Sequence, residues 1–289
     1  MRKSLFLVIL SVIIAGCAGK RPNIPCDITL KDSYEVEDIL LHGHDFPQEN
    51  FSGMICFQTD STYGYIPLFK SRINGLVTVY TNKNVLIAAS SYRDSKLNGP
   101  SRAYFKNGLL RSETNFLDNR KDGKDTEYFS NGNLKQEIVY KNGRKNGIAK
   151  FYYDTGMLQV ETSFKNDKQN GVSRIYYADG SLKSESLIRD DVIERLRAYY
   201  PSGKLRGTVE KNGKAREYKE NGALEQEFTT KNGKLDGESK LYNDFGRIYA
   251  ILTYKENELV SAKCEHTGRI WTDEEITNWK NGQPVDCSY

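Results

Sequence analysis

Histidine, tryptophan, methionine and proline are all scarce in this 289-residue chain, at three, two, three and seven residues. Three histidines leave little material for a metal centre. His42 and His44 form the one cluster, and alternate spacing would put both rings on one side of a strand. No third ligand is evident, because His266 lies far along the chain, so the pair reads as exposed loop residues and no metal is expected. Asp-rich calcium loops, Walker glycines and a Gly-x-Ser-x-Gly elbow are missing as well. Catalysis needs a few non-repeating polar groups converging in a pocket. Only residues 18 to 73, with His42, His44 and Asp45, offer unusual groups, so neither an enzyme nor a bound cofactor is expected. Net charge is also small, at +4, and Lys and Arg alternate with Asp and Glu along the whole length. A nucleic-acid binder concentrates its bases in a stripe or patch, which excludes nucleic acid as the expected partner. Between residues 75 and 260 helical periodicity of any length is absent.

After the first sixteen residues no long apolar run occurs. Those sixteen hold Arg2 and Lys3, then Leu5 to Ile14, then Ala15 and Gly16, which is a signal-peptide pattern. An apolar run of about ten residues falls short of the roughly 20 that a helix needs to cross a bilayer. The segment Ile14-Ala15-Gly16-Cys17 resembles the lipobox of bacterial lipoprotein precursors. That resemblance implies that residues 1–16 are removed and that Cys17 becomes an acylated N-terminus, with membrane lipid as its partner. Loss of Arg2 and Lys3 takes the net charge from +4 to +2. The expected location is the cell envelope, lipid-anchored at the outer membrane or cell surface, since Ala18 is not an inner-membrane retention aspartate.

With Cys17 acylated, Cys26, Cys56, Cys264 and Cys287 remain. An even count in an oxidising compartment suggests two disulfides. Three connectivities are possible. Cys26 with Cys56 and Cys264 with Cys287 is favoured because each pair closes a local loop; free buried thiols are the alternative.

Between the two cysteine pairs the chain repeats itself. Gly75, Gly99, Gly123, Gly147 and Gly171 are spaced by 24, and so are Tyr80, Tyr104, Tyr128, Tyr152 and Tyr176. The second glycines Gly108, Gly132, Gly156 and Gly180 keep the same step, each followed two residues later by Leu110, Leu134, Leu158 or Leu182. The frame then shortens at Tyr199 and Gly203 and again at Tyr218 and Gly222, before Tyr242 and Gly246 restore it. About eight units result, and a fixed period of this kind signals a repeat architecture. Within one unit, two aromatic and β-branched segments flank an Asn-Gly turn, so each unit reads as a β-hairpin. Lone hairpins are marginal in water, and stacked ones bury a shared ladder, here Tyr128, Leu134 and Tyr140 against Tyr152, Leu158 and Phe164.

The expected fold is all-β: an elongated, twisted array of stacked hairpins over residues 74–260, with a small irregular N-terminal cap over 17–73 and a degenerate repeat or cap over 261–289. Lys31 to Leu41 is a candidate short helix, and a last degenerate unit would run from Gly268 through Trp279 to Gly282. Glu113, Glu137, Glu161 and Glu185 repeat by 24, as do Arg102, Lys150 and Arg174, with Arg197, Arg216 and Lys240 in the equivalent slot. These read as cross-strand pairs that set register, and a charged ligand ladder is the other reading.

The unit Tyr-x-x-Asn-Gly-x-Leu-x-x-Glu-x-x-Tyr-x-Asn-Gly, as in residues 128 to 143, resembles the variant MORN repeat shared by the YwqK family of putative antitoxins. The likeness covers about residues 75 to 260. It implies an interaction platform for a partner protein, with an antitoxin-like or immunity-type inhibitor as the alternative role; the chain itself is expected to be monomeric. The lipobox sets this chain apart from the cytoplasmic members.

Overall fold

The computed structural model describes residues 24–30, 50–283 and 285–287. Cys17, the His42 and His44 pair and the Lys31 to Leu41 segment lie outside the described residues. The chain divides after Gly156 into two compact units.

In the first unit, Ile28–Leu30 lies parallel to Gly53–Gln58. From there the sheet is an antiparallel meander in which each strand pairs with the one before and the one after. It runs through Thr62–Phe69, Gly75–Thr81, Leu86–Arg93, Lys96–Tyr104, Leu110–Leu117, Arg120–Tyr128, Leu134–Lys141 and Arg144–Tyr152. The regular sheet therefore reaches back to Gly53, with Tyr63 opposite Tyr80. Ile55, Phe57, Ile66, Leu68, Ile73, Val77, Tyr92, Leu97 and Phe116 form its core. Burial pushes the Tyr92 hydroxyl well above the usual phenol range.

The second unit repeats the scheme from Leu158–Lys165 through Lys168–Tyr176, Leu182–Arg189, Val192–Tyr199, Leu205–Glu210, Gly213–Tyr218 and Leu224–Lys231. Its next strand is interrupted, Lys234–Leu235 and then Gly237–Tyr242, and Ile248–Lys255 and Glu258–Cys264 complete the meander. The segment that reads as a degenerate hairpin is instead the helix Asp273–Lys280. Thr272 caps it through a reciprocal box with Glu275, and Asp273, Glu274 and Glu275 fill its first turn, where the helix dipole favours carboxylates. The core here is Leu241, Ala250, Leu252, Leu259, Ala262, Cys264, Trp271 and Val285.

Two kinds of turn alternate, and both rest on positive φ. At one hairpin end the turn glycine, such as Gly132 at φ +91°, donates its N–H back to Phe129 at 2.9 Å. At the other end two successive residues are left-handed, as in Asp118 and Asn119 (φ 47° and 66°) or Asn142 and Gly143 (51° and 81°). Paired left-handed residues are the signature of the type I′ turn, whose twist matches that of the flanking strands.

The tyrosine and leucine ladder is less buried than expected. Tyr104, Tyr128, Tyr152, Tyr176, Tyr199, Tyr218 and Tyr242 are all half-buried, as are Leu110, Leu134, Leu158 and Leu182. Each tyrosine ends a strand and each leucine begins one, so water reaches them from the turn side. Within the repeats, the buried positions are the second aromatics Tyr92 and Phe116 together with small or aliphatic mid-strand residues such as Asp125, Ile138, Ala149, Thr162 and Ser186.

Candidate functional site

A sheet has two faces because successive side chains point to opposite sides. In the first unit the register aligns Arg102, Glu113, Thr126, Glu137 and Lys150 into one cross-strand row. In the second it aligns Glu161, Arg174, Glu185, Arg197, Thr208, Arg216, Glu227 and Lys240. Opposite charges are therefore direct neighbours along most of the second row and at both ends of the first, where Thr126 separates Glu113 from Glu137. Arg102 Nε sits 2.5 Å from Glu113 Oε2, and Arg174 Nε sits 2.8 Å from Glu185 Oε2 while its Nη1 lies 3.7 Å from Glu161. Glu227 takes Lys214 and Arg216, each at 2.8 Å. Lys214, followed by Arg216, holds its carboxyl below the usual range against the opposing effect of burial. These partners remain in contact with solvent, with Arg102 and Arg216 side chains 40% and 44% exposed. The row is thus both a register device and a solvent-facing stripe of alternating charge.

On the opposite face of the first unit, Ser90, Ser101, Thr114 and Asp125 make a row. Ser90 and Ser101 hydroxyls lie 2.7 Å apart, and Thr114 donates to Asp125 at 2.6 Å. Lys121 Nζ closes on the other Asp125 oxygen at 2.5 Å, which neutralises that buried carboxylate. A trough of about 240 Å³ lies over this row, walled by Tyr92, Phe116 and Arg111. Its polar atoms are largely spent on one another.

A third feature was not anticipated from the residues. Turn side chains at the type I′ ends reach back one repeat and accept from a strand N–H. Asn119 accepts from Leu97 N at 2.7 Å, Asp191 from Gln169 N at 2.7 Å and Asn257 from Leu235 N at 2.8 Å. Main-chain bonds run alongside, from Asn119 N to Leu97 O and from Gly143 N to Lys121 O. The signal was available, since Asn119, Asp167 and Asp191 follow the 24-residue step or its double.

The four cysteines form two disulfides, Cys26 with Cys56 and Cys264 with Cys287, with Cα atoms 5.7 and 5.4 Å apart. Beside the second, Arg269 grips the Glu275 carboxylate through two 2.9 Å contacts and donates to the Asp286 carbonyl at 2.8 Å. His266 is exposed in the loop between the last strand and the helix. Among the described residues no three His, Cys, Asp or Glu side chains are grouped to hold a metal ion, and no helix is long and apolar enough to cross a membrane.

Comparison with solved structures finds the crystal structures of TcdB2–TccC3–Cdc42 and of TcdB2–TccC3, both 12% identical over 71% of this chain. They have TM-scores of 0.14 and 0.13, and this chain spans 15% and 16% of the lengths of those chains. No curated protein matches. Residues 121–142, 145–166, 169–190 and 211–232 match the family model described as MORN repeat variant. Four of the hairpin units in this chain therefore carry the sequence pattern of the MORN repeat variant.

Proposed function

We propose that this chain is a lipid-anchored envelope protein whose hairpin repeats hold a partner protein, serving as a binding or scaffold module and not as an enzyme. The observation that carries this reading is the repetition itself. The same charged side chains recur strand after strand at matched register on a solvent-facing row. Extended repeat surfaces of this kind suit many shallow contacts better than one deep site. Catalysis asks for the opposite, a few unlike groups gathered in one pocket. Anchoring rests on the lipobox-like segment ending at Cys17.

The test is affinity purification from cross-linked, detergent-solubilised envelopes with the native chain and with Cys17→Ser. One protein recovered stoichiometrically, resistant to high salt, and a Cys17→Ser chain released from the membrane are the expected results. A native chain that retains no partner would sink the binding reading. A Cys17→Ser chain that still sediments with membranes would sink the anchor.

A further inference from the structure

Every turn of the glycine type has two slots that define it: the residue three before the glycine, which closes the hairpin, and the residue just before the glycine. In the closing slot stand Phe105, Phe129, Tyr153, Tyr177 and Tyr200, and then Lys219 and Asn243. In the slot before the glycine stand Asn107, Asn131, Thr155, Asp179, Ser202 and Asn221, and then Phe245. The last repeat has therefore exchanged its aromatic and polar residues. Elsewhere the polar residue folds the turn, as where Asn131 Oδ1 accepts from Asn133 N and Asn221 Oδ1 from Ala223 N. At the last turn Asn243 does this work from the closing slot, accepting from Phe245 N and Arg247 N at 3.0 Å. The turn is thus fully bonded without Phe245, whose ring stands 89% exposed, the most exposed large apolar side chain among the described residues.

The exchange has a second effect. Tyr177 and Tyr200 in the closing slot reach forward to bond the next repeat, at Tyr199 O and Tyr218 O. Lys219 instead pairs with Asp244, and Asn243 is short, so a groove of about 520 Å³ opens beside them. Its apolar lining is Leu241, Tyr242, Tyr249 and Trp279, and its carboxylates are Glu217, Glu225 and Asp244 against one cation, Lys219. Aromatic rings beside a carboxylate excess recognise organic cations.

We propose that this groove, together with the exposed Phe245 that follows its Asp244 in the chain and serves as an apolar anchor, is the docking site for an extended lysine- or arginine-bearing segment of the partner protein. This deepens the binding reading above and rests on it. The lysine or arginine enters among Tyr242, Tyr249 and Trp279 and meets Glu225, while an apolar neighbour in the segment covers Phe245. Charge complementarity selects the occupant: an acidic segment would face the same carboxylates and be repelled.

The experiment uses the full chain in detergent micelles and a labelled peptide of alternating lysine and threonine with one central leucine. A twin peptide with glutamate for lysine is the control. Binding is read by anisotropy and by tryptophan emission, to which Trp271 and Trp279 are the sole contributors. Saturable binding of the lysine peptide is expected, weakened on the order of tenfold by Phe245→Asn and by Glu225→Lys, with no binding of the twin. Both positions are exposed, so both variants should keep the native circular dichroism. Equal affinity for the native chain and both variants, equal binding of the twin, or no binding at all would overturn the proposal. The cross-linking experiment separates the two readings. A partner held equally well by the Phe245→Asn, Glu225→Lys chain refutes the groove and leaves the binding function standing, whereas a native chain without a partner refutes that function itself.

Discussion

Gly123 shows how much one residue carries in such a hairpin. Its φ of +103° is a conformation that side-chain-bearing residues avoid, and a Cβ there would lie 3.3 Å from the Asn115 Cβ on the neighbouring strand. Gly147, at φ +125° and 3.2 Å from the Val139 Cβ, repeats the arrangement one unit later. Substitution Gly123→Ala is expected to destabilise by about 1–3 kcal/mol through backbone strain, read as a lowered denaturation midpoint. An undiminished midpoint would mean that the strand relaxes there at no cost. Asn119 contributes through its side chain instead, by accepting from Leu97 N. Removing that acceptor in Asn119→Ala leaves a strand N–H to find water, which costs about 1 kcal/mol. Asn119→Asp keeps the acceptor and should retain most of the stability.

Strands are held in register by the charged rows, and the break in the second of them is informative. Thr208 stands where alternation calls for an acid, between Arg197 and Arg216. A Thr208→Glu change should couple to Arg197 by about 0.5 kcal/mol in a double-mutant cycle with Arg197→Ala, and the coupling should fade in high salt. Zero coupling at low salt would deny the row an energetic role. Glu227 supplies the pH test. Its folded-state pKa is depressed by Lys214 first and Arg216 second, so its stabilisation is complete above the ordinary glutamate value of about 4.3 and is lost as pH falls below it. Glu227→Gln should therefore lower the melting temperature at neutral pH, by an amount corresponding to at most about 1 kcal/mol, and the two proteins should converge in acid. A gap that persists in acid would assign the effect to packing. The hairpin units and their period could be read directly from Tyr128, Gly132 and Leu134 and their equivalents, because turn chemistry and strand alternation are local. The helix at Asp273 was hidden for a different reason. Its capping box, Thr272 with Glu275, is only two residues of signal, and the approximate repeat of Gly268, Trp279 and Gly282 invited a hairpin reading.

At the scale of the whole molecule the apolar core is unevenly shared. In the first unit it collects around Ile55, Ile66 and Ile73, and in the second around Leu241, Leu252 and Trp271, while strands such as Lys168–Tyr176 contain no buried residue. The groove at Tyr242 escaped notice in the sequence because it arises from what neighbouring repeats lack, and two unlike slots must be compared before Lys219 and Asn243 stand out. The charged row was visible there, since Glu113, Glu137 and their pairs recur by 24, whereas the turn side chains Asn119, Asp167 and Asp191 recur too but do not disclose which strand N–H they bond. Repeat arrays have stability that is a sum of local units and nearest-neighbour contacts, so poorly filled repeats open before well-filled ones. Amides of Lys168–Tyr176 should then exchange with solvent faster than those of Gly237–Tyr242 within the same unit. The Cys264–Cys287 bond closes the well-filled end over a separation of 23 residues, a constraint worth about 3 kcal/mol in the chain-entropy picture. With Cys287→Ser, the Gly237–Tyr242 amides should lose much of their protection, while Lys168–Tyr176, already exchanging by local opening, should change little. Equal loss across both strands would show instead that the second unit opens as one cooperative block, with the disulfide acting on all of its repeats alike.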